Sequence, residues 1–380
     1  MLLAHDTAAG SVQELAETAM PQAANRPCSR RGGRLQFGSD DRDETGGLSV
    51  TSEMFSETSA RSRALSAALE PVIGSVYFAP EAHAAYEALG FGGSPGGLTG
   101  DGWAVDHWGG VAMPDGVAYF ASRGAILGQV RGEVVAAAFG VFNPVVVVAA
   151  VARGWEIADA DSVVDARTRG AVAQLERILG VAPAGIERVV ELLGRAVAPL
   201  TVAGHPMFAG LLGLTMPAGI VGRMWRLGDE LREYRGDAHI AAAVAAGLDG
   251  CQLQVLTERY AGMPARSYAA GRGWDEGQLG SAEADLQARG LLDGEAVTSA
   301  GREVREAVES ATDEACASMT DALGVDLIEL VARLQSWGAA VREAHGYYPS
   351  SPQEAVLSPG VDVWMSRYGL RPFGATDAAG

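Results

Sequence analysis

The sequence predicts a mainly α-helical fold, in which a helical bundle is followed by a smaller helical module with a short β-hairpin. Apolar residues recur every three or four positions along most of the chain, as they do on one face of a helix. Alternating runs of β-branched residues, which indicate strands, are few. Hydrophobic residues make up 48% of the 380 positions, so there is enough apolar surface to bury a core.

The charged residues exclude some functions. The 29 basic residues are all arginine, and the formal net charge is −18. Without lysine, the chain cannot form a Schiff base or use a phosphate-loop lysine. The acidic balance also argues against a dedicated nucleic-acid-binding protein, because an acidic chain repels the phosphate backbone unless it carries a local basic surface.

The cysteines and the apolar segments predict a cytoplasmic protein without a membrane span. The three cysteines lie far apart and form no CxxC pair, as is typical of reduced thiols. The N-terminus has neither the basic region nor the apolar stretch of a secretory signal. Residues 134–152 are uncharged, but Asn143 and Pro144 at their centre predict a helix start. We therefore expect two short buried helices there instead of one span.

The chain begins with a segment unlike the rest. Residues 1–53 are rich in Arg, Gly, Ser and Asp and predict a disordered extension, with Met54 as an alternative start. The helical pattern that follows predicts helices at 60–76, 80–89, 131–142, 144–153, 160–179, 184–198, 217–234 and 237–246. The glycine-rich loop at 90–103 lacks the preceding strand and the following helix of a phosphate-binding loop.

Residues 248–313 contain the order of elements of a winged helix-turn-helix. Two helices, the second anchored by Trp274, lead into a tight Asp293-Gly294 turn and a short strand-like segment. A long helix follows, and Thr298 or Ser299 can cap its first turn. The Asp-Gly turn would form a shortened wing.

This region resembles the MarR-like winged-helix superfamily. The resemblance rests on residues 288–292 (ARGLL) before the wing and residues 297–302 (VTSAGR) after it. In the superfamily, the first stretch reads Arg-Gly-Leu followed by an aliphatic residue. The second reads Leu-Thr, two variable residues and Gly-Arg, and Val297 stands in place of the leucine that begins this second stretch. The resemblance covers about a fifth of the chain and implies a winged-helix fold.

A longer part of the chain, most of residues 64–325, is similar to a family of actinobacterial proteins known as helix-turn-helix family proteins. The similarity rests on residues 119–123 (YFASR), 127–128 (LG), 142–144 (FNP), Trp155, 235–239 (RGDAH), 247–250 (GLDG) and 273–274 (GW). It implies an all-α core joined to a winged-helix module and carries no particular activity with it.

These patterns divide the chain into four parts. We expect a disordered extension at 1–53, an N-terminal helical domain at 54–200, a degenerate winged-helix domain at 201–345 and a C-terminal tail at 346–380. The low or irregular apolar content of the two ends predicts that 1–53 and about 350–380 are dispensable for folding.

The recognition helix of the winged-helix module is acidic. Between Trp274 and Asp293, five acidic residues face one arginine, Arg289. Gln278 and Gln287 could contact base edges, and Arg259, Arg266 and Arg272 could form a compensating basic patch. We expect weak DNA binding without sequence specificity.

A small-molecule site would be lined by aromatic side chains with a few polar groups among them, since ligand pockets are mostly apolar. The predicted ligand-binding residues are Tyr119, Phe120, Arg123, Asn143, Trp155, His205, Trp225, Arg235, Asp237 and His239.

The strongest polar motif, Arg235-Gly-Asp-Ala-His239, allows two interpretations. In the simpler one, Gly236 ends one helix and Asp237 caps the next through free backbone amides. In the functional one, Arg235 holds a carboxylate or phosphate, and His239 titrates near neutral pH. An enclosed pocket that contains both residues would favour an enzyme or a sensor.

Metal and nucleophilic chemistry have little support. A metal site would need His205, His239 and a carboxylate together, but no motif with metal-ligand spacing is present. No nucleophile motif marks a catalytic residue, and no cofactor is indicated.

The sequence therefore predicts a regulatory or small-molecule-binding protein of the helix-turn-helix type, with weak or no DNA binding. A homodimer is compatible with this prediction. Two alternatives stay open. The first is an enzyme of unspecified reaction that uses Arg235 and His239, and the second is a MarR-like DNA-binding transcriptional regulator.

Overall fold

The computed structural model describes residues 57–94, 111–349, 356–357 and 361–371. The predicted disordered extension at 1–53 and most of the glycine-rich loop lie outside these residues. The fold is mainly α-helical, as the sequence predicts, and the strands within the described residues form one small hairpin.

The helices of the first half are α1 (Glu57–Ile73), α2 (Pro80–Leu89), α3 (Gly116–Gly124), α4 (Gly132–Phe139), α5 (Pro144–Ile157), α6 (Ala160–Leu179) and α7 (Ile186–Val197). Short 3-10 turns follow α1 and α3, at Gly74–Phe78 and Ala125–Leu127.

The helices of the second half are α8 (Pro206–Leu212), α9 (Ile220–Ala245), α10 (Gly250–Tyr260), α11 (Glu276–Ala288), α12 (Ser299–Ala315), α13 (Ala317–Leu323), α14 (Asp326–Glu343) and α15 (Val361–Arg367). A 3-10 turn at Ala270–Arg272 lies between α10 and α11. Strands β1 (Leu292–Asp293) and β2 (Ala296–Val297) lie between α11 and α12.

Side-chain caps begin several of these helices where the sequence predicts them. Asn143 accepts a hydrogen bond from the Val145 backbone N–H at the start of α5, and Thr298 accepts one from Gly301 at the start of α12. Capping boxes begin α10 and α11. The break at Asn143 separates α4 from α5, as predicted.

The prediction of two helices at 217–234 and 237–246 was wrong, because α9 runs without interruption through Gly236. A glycine inside a helix costs about 1 kcal/mol relative to alanine, and packing on both sides of the position offsets that cost. Arg235 and Asp237 are both buried, so tertiary contacts hold the helix across the glycine.

The main core surrounds α1, which packs against α9, α14 and α15. Nearby, α2 lies against α6 at Gly170, where a Cβ would come within 2.2 Å of the Ala82 backbone. The core draws its apolar side chains from both sides of residue 200, including Leu65, Trp225 and Leu330. The domain division at residue 200 stays a prediction.

The part of the chain predicted to be a winged-helix module, from α10 to α12, has a core of its own, built on Leu253, Leu279 and Leu286. The antiparallel hairpin pairs Leu292 with Val297 and Asp293 with Ala296. Gly301, in the VTSAGR motif, lets α12 approach the wing closely, because a Cβ there would come within 2.1 Å of the Leu291 carbonyl oxygen.

A third cluster joins α3, α4, α5 and α8 through aromatic and aliphatic side chains such as Phe120, Phe139 and Val147. It includes the uncharged stretch 134–152, which forms α4 and α5 as a packed helix pair. Within the described residues, no single helix is long and apolar enough to cross a membrane. The helices α9 and α10 pass that test only as a pair, which is bent by 100°.

The premise that residues beyond about 350 add nothing to the core was wrong. In α15, Val361, Trp364 and Met365 are buried and belong to the main core, where they pack against α1. The spacing of these three residues places them on one face of the helix. Three positions are too few for a periodic pattern to predict a helix from the sequence.

Candidate functional site

A cavity of about 740 Å³ lies between the helical bundle and the winged-helix module. Residues of α3, α4 and α9 form one wall. Most of residues 264–273, which connect α10 to α11, form another wall together with side chains of α10 and α12. Val356 and Leu357, both buried, also line it. The volume is in the range of small-molecule sites.

Aromatic rings cover much of this cavity. The rings of Tyr77 and Tyr119 lie 5.1 Å apart, Tyr119 lies 5.8 Å from Phe142, and Phe78 lies 5.2 Å from Tyr348. The full aromatic lining consists of Tyr77, Phe78, Tyr119, Phe120, Phe139, Phe142, Tyr268 and Tyr348. Such walls suit a ligand with a flat apolar body.

The charged lining has an excess of positive groups although the chain is acidic. Six arginines face four carboxylates: Arg123, Arg232, Arg235, Arg266, Arg272 and Arg305 against Glu70, Glu233, Asp237 and Glu309. Carboxylates just outside the lining, Asp313 and Glu283, also pair with Arg235 and Arg266, so most of these arginines have a counter-charge.

A chain of ion pairs runs along the bundle side. Arg123 donates two hydrogen bonds to Glu233, at 3.1 and 2.8 Å, and stacks on the Phe139 ring. Arg232 pairs with both Glu233 and Glu70. Burial opposes the ionised form of Glu233, yet Arg123 and Arg232 lower its pKa to about 2. Glu233 therefore remains ionised, and these two arginines already have a counter-charge.

A second ion-pair network joins α9 to α12. Arg235 donates to Asp313 and Glu309 at 2.8 Å each and to Ser62 at 3.0 Å. Arg305 contacts the other oxygen of Glu309 at 2.8 Å. Both Nη atoms of Arg235, predicted as the ligand-holding arginine, are thus hydrogen-bonded within the protein.

His239 lies at the edge of this network. Its Nδ1 is 3.3 Å from the Thr312 hydroxyl and 3.7 Å from Glu309. Burial, reinforced by Arg305 and Arg235, lowers the pKa of His239 to about 4, although Glu309 acts in the opposite direction. The imidazole is therefore neutral at pH 7, so the expected titration near neutral pH was wrong.

Asp237 has a role that its place in the sequence conceals. It is not the N-cap of its own helix, since α9 continues through it. Its Oδ2 instead accepts a hydrogen bond of 3.1 Å from the Phe208 backbone N–H in the first turn of α8. His205, the N-cap residue of α8, offers no side-chain cap. Burial raises the pKa of Asp237 to about 7.

Arg272 ties the cavity to the winged-helix module. Its backbone oxygen accepts a hydrogen bond from the Asn143 backbone N–H, and the Asn143 side chain donates to Gly273 and Gln278. The Trp274 indole N–H donates to the Val141 carbonyl. The start of α11 is thus attached to the α4–α5 junction.

The structure brings together six of the ten predicted ligand-binding residues, Tyr119, Phe120, Arg123, Arg235, Asp237 and His239, all in the cavity lining. Arg235 and His239 thus share one pocket, a placement that favours an enzyme or a sensor over an exposed cap.

The other four predicted residues do not line the cavity. Asn143 is engaged as a cap, and the Trp155 and Trp225 indoles donate to the carbonyls of Val130 and Ile73. His205 stacks on Tyr234 with ring centroids 3.8 Å apart. Polar side chains in apolar helices are often bound to backbone groups, which the sequence cannot reveal.

Tyr268, Arg272 and Arg305 were not among the predicted ligand-binding residues, although all three line the cavity. Tyr268 and Arg272 are four positions apart, and the Arg272 guanidinium bonds to the Tyr268 hydroxyl at 2.7 Å. The segment is not an α-helix, so the four-residue spacing in the sequence does not indicate this contact.

The described residues contain no cluster of three His, Cys, Asp or Glu side chains that could hold a metal ion. Cys251 and Cys316 are buried, and burial raises their pKa values to about 12 and about 11. Both are therefore thiols, not reactive thiolates, at neutral pH.

The surface that would face DNA is acidic, because Glu276, Asp285, Asp293 and Glu295 are exposed on α11 and the wing. The proposed compensating patch is already engaged. Arg259 and Arg266 pair with Glu283, and Arg272 lies in the cavity.

The predicted base-contacting residues differ in their availability. The Gln278 side-chain oxygen belongs to the capping box of α11, and the exposed Arg289 donates to the Gly247 carbonyl. Gln287 is exposed and donates to the Gly294 carbonyl.

Fold and cavity together define a mainly α-helical protein in which the helices around the small hairpin lie beside a ligand-sized pocket. The sequence profile of the helix-turn-helix family matches residues 62–349, from the first turns of α1 to a point beyond the end of α14. The chain belongs to this family. Curated proteins gave no match to the chain, and neither did solved structures.

Proposed function

We propose that this protein is a ligand-responsive regulatory protein of the helix-turn-helix family, with a degenerate MarR-like winged helix, and that its activity depends on a small molecule bound in the cavity. The observation that carries the proposal is the 740 Å³ cavity, whose lining combines aromatic rings with convergent charged groups.

The position of the cavity supports a regulatory role. One wall consists of residues 264–273, which lead directly into α11, the helix in the recognition position. A ligand that contacts this wall and the bundle at the same time changes the energy of their contact. It therefore shifts any equilibrium in the placement of α11.

Specific DNA binding is the second candidate, favoured by family membership and by the hairpin that follows α11. The exposed acidic residues of α11 and the wing favour weak, non-specific binding, because they repel phosphates. An anisotropy titration with the DNA that flanks the protein's own gene tests this point. Submicromolar, sequence-selective binding at physiological salt would identify a DNA-reading regulator.

The enzyme alternative has less support. Arg235 is held by Glu309, Asp313 and Ser62, and the pKa of His239, about 4, makes the imidazole a weak base. Neither side chain is free and suitably charged for the roles that the sequence suggests.

Two substitutions on one helix test the binding proposal. Ala138 lines the cavity, whereas Ala137 beside it is exposed and does not. We expect phenylnaphthylamine, a neutral fluorescent probe, to bind one molecule per chain. Ala138→Trp should weaken binding by about tenfold or more, because the indole occupies ligand volume, whereas Ala137→Trp should leave it unchanged. Equal binding by all three chains would contradict the proposal.

Regulation is tested by hydrogen exchange. Bound probe should slow amide exchange in residues 264–288 and leave the remote helix α7 unchanged. Native mass spectra of the same samples report any retained natural ligand and the number of subunits. Probe binding without any change at 264–288 would show a ligand site that does not regulate the winged helix.

A further inference from the structure

We propose that the cavity takes an organic anion with a flat unsaturated body, and that Arg272 binds the anionic group. This inference rests on the proposed function and adds the class of ligand and the residue that selects it.

Arg272 differs from the other arginines of the cavity in its partners. Arg123 pairs with Glu233, Arg232 with Glu70, Arg235 with Glu309, Arg266 with Glu283, and Arg305 with Glu309. Within the described residues, no carboxylate lies within 4.0 Å of the Arg272 guanidinium. Its Nη2 donates to the Tyr268 hydroxyl at 2.7 Å, and its buried Nε has no hydrogen-bond partner.

A half-buried guanidinium without a counter-charge is costly, because burial removes the water that would stabilise it. The planar fork of an arginine can donate two parallel hydrogen bonds to a carboxylate, phosphate or sulfonate. An anionic ligand group at Arg272 would supply both the missing charge and an acceptor for Nε.

The surroundings of Arg272 indicate what the rest of the ligand is. The guanidinium carbon lies 4.8 Å from the centre of the Phe142 ring and 4.6 Å from that of Tyr268. Tyr119, whose ring lies 5.8 Å from Phe142, continues the aromatic surface into the cavity. A flat ring system attached to the anionic group would stack on these side chains.

The position of Arg272 gives the anion a direct route to the winged helix. Arg272 ends the 3-10 turn between α10 and α11, and its backbone oxygen is bonded to Asn143. The side chain of Asn143 in turn bonds Gln278 in the first turn of α11. An anion at Arg272 therefore acts on the segment that positions α11.

The experiment compares two probes that differ in one charged group, with the full-length protein. Anilinonaphthalene sulfonate has the ring system of phenylnaphthylamine plus a sulfonate. We expect the wild-type chain to bind the anion more tightly than the neutral probe. Arg272→Gln should lower the affinity for the anionic probe by about tenfold and leave the affinity for the neutral probe unchanged, because only the charged contact is lost.

Two further variants complete the test. Arg289→Gln removes an exposed arginine outside the cavity and should change neither affinity, which controls for net charge. Arg272→Lys keeps the positive charge but not the planar, two-pronged guanidinium, and it should give an intermediate loss of affinity for the anionic probe. Unchanged binding of the neutral probe to Arg272→Gln also verifies that this variant is folded.

The outcomes separate the two proposals. Equal affinity of wild-type and Arg272→Gln chains for the anion would overturn the assignment of Arg272, while the Ala138→Trp result still supports the cavity. A wild-type chain that prefers the neutral probe would overturn the ligand class. A wild-type chain that binds neither probe would contradict both the inference and the proposed function.

Discussion

Arg235, Asp237 and His239 lie within five residues of one helix, and each is governed by a different environment. Arg235 neutralises buried carboxylates of α12, and His239 is kept neutral by burial beside two arginines. Asp237 faces the first turn of α8 and accepts the Phe208 N–H. The sequence suggests that these three residues form one functional motif, but in the structure each makes a different contact. Neighbouring positions of a helix point in different directions.

The first prediction concerns Asp237 and pH. Burial raises its pKa from 3.8 to about 7, so the folded state retains a proton that the unfolded state loses between those values. The contribution of Asp237 to the free energy of unfolding therefore falls as pH rises through this window. Asp237→Asn keeps an acceptor for the Phe208 N–H and has no charge, so it should be more stable than the wild type near pH 8, and this advantage should be smaller near pH 5.

Urea unfolding of both chains at the two pH values provides the measurement. Asp237→Ala is the matched variant: it leaves the Phe208 N–H without its acceptor and should be less stable than Asp237→Asn by about 1–3 kcal/mol at both pH values. Equal, large destabilisation by both substitutions at both pH values would contradict this account and indicate an ion pair that needs the charged carboxylate.

At the scale of elements, α9 shows how packing overrides a local break. The glycine at 236 predicts an end, yet α9 continues from Ile220 to Ala245. A Cβ at Gly236 would meet only the Glu233 Oε2 atom, at 3.7 Å, so no close approach requires the glycine. The glycine therefore lowers the stability of α9 only through the weak helix propensity of glycine itself.

The second prediction follows: Gly236→Ala should stabilise the protein by about 1 kcal/mol, because alanine favours the helix and has room. Gly301→Ala is the matched control. Its Cβ would lie 2.1 Å from the Leu291 carbonyl oxygen and should cost about 1–3 kcal/mol. Chemical unfolding of both chains measures the two effects. Destabilisation by Gly236→Ala as large as that by Gly301→Ala would mean that α9 is broken at residue 236 in solution.

At the scale of the whole molecule, the C-terminal helix belongs to the main core. Met365 is fully buried in α15 against α1, whereas Val363 in the same helix is 52% exposed. The cores of the bundle and the winged helix are linked by the buried ion pairs between α9 and α12, so substitution of one partner there would leave an unpaired buried charge.

The third prediction tests the role of α15 in the full-length chain. Met365→Ala should lower the free energy of unfolding by about 2–5 kcal/mol, because it removes packed side-chain volume from the core. Val363→Ala should change it by less than about 0.5 kcal/mol, as exposed substitutions generally do. Thermal or urea unfolding gives both values. Equal effects of the two substitutions would show that α15 does not pack on α1.

The sequence by itself determined the features that depend on neighbouring residues. The α-helical class, the start of α5 at Asn143, the hairpin after α11 and the cap at Thr298 all rest on contacts a few residues apart. Periodicity and capping chemistry are local, so they are present in the order of the amino acids. The same order located six of the residues that line the cavity.

Only the tertiary structure decided the cavity itself and the environments of its charged groups. Asp237 meets Phe208 across 29 positions, and Asn143 meets Gly273 across 130. Which arginine lacks a carboxylate is equally a property of the folded chain, since Arg272 differs from its neighbours only in what surrounds it. Burial and ion pairing between distant segments set the charge of each group, and no local pattern of residues encodes them.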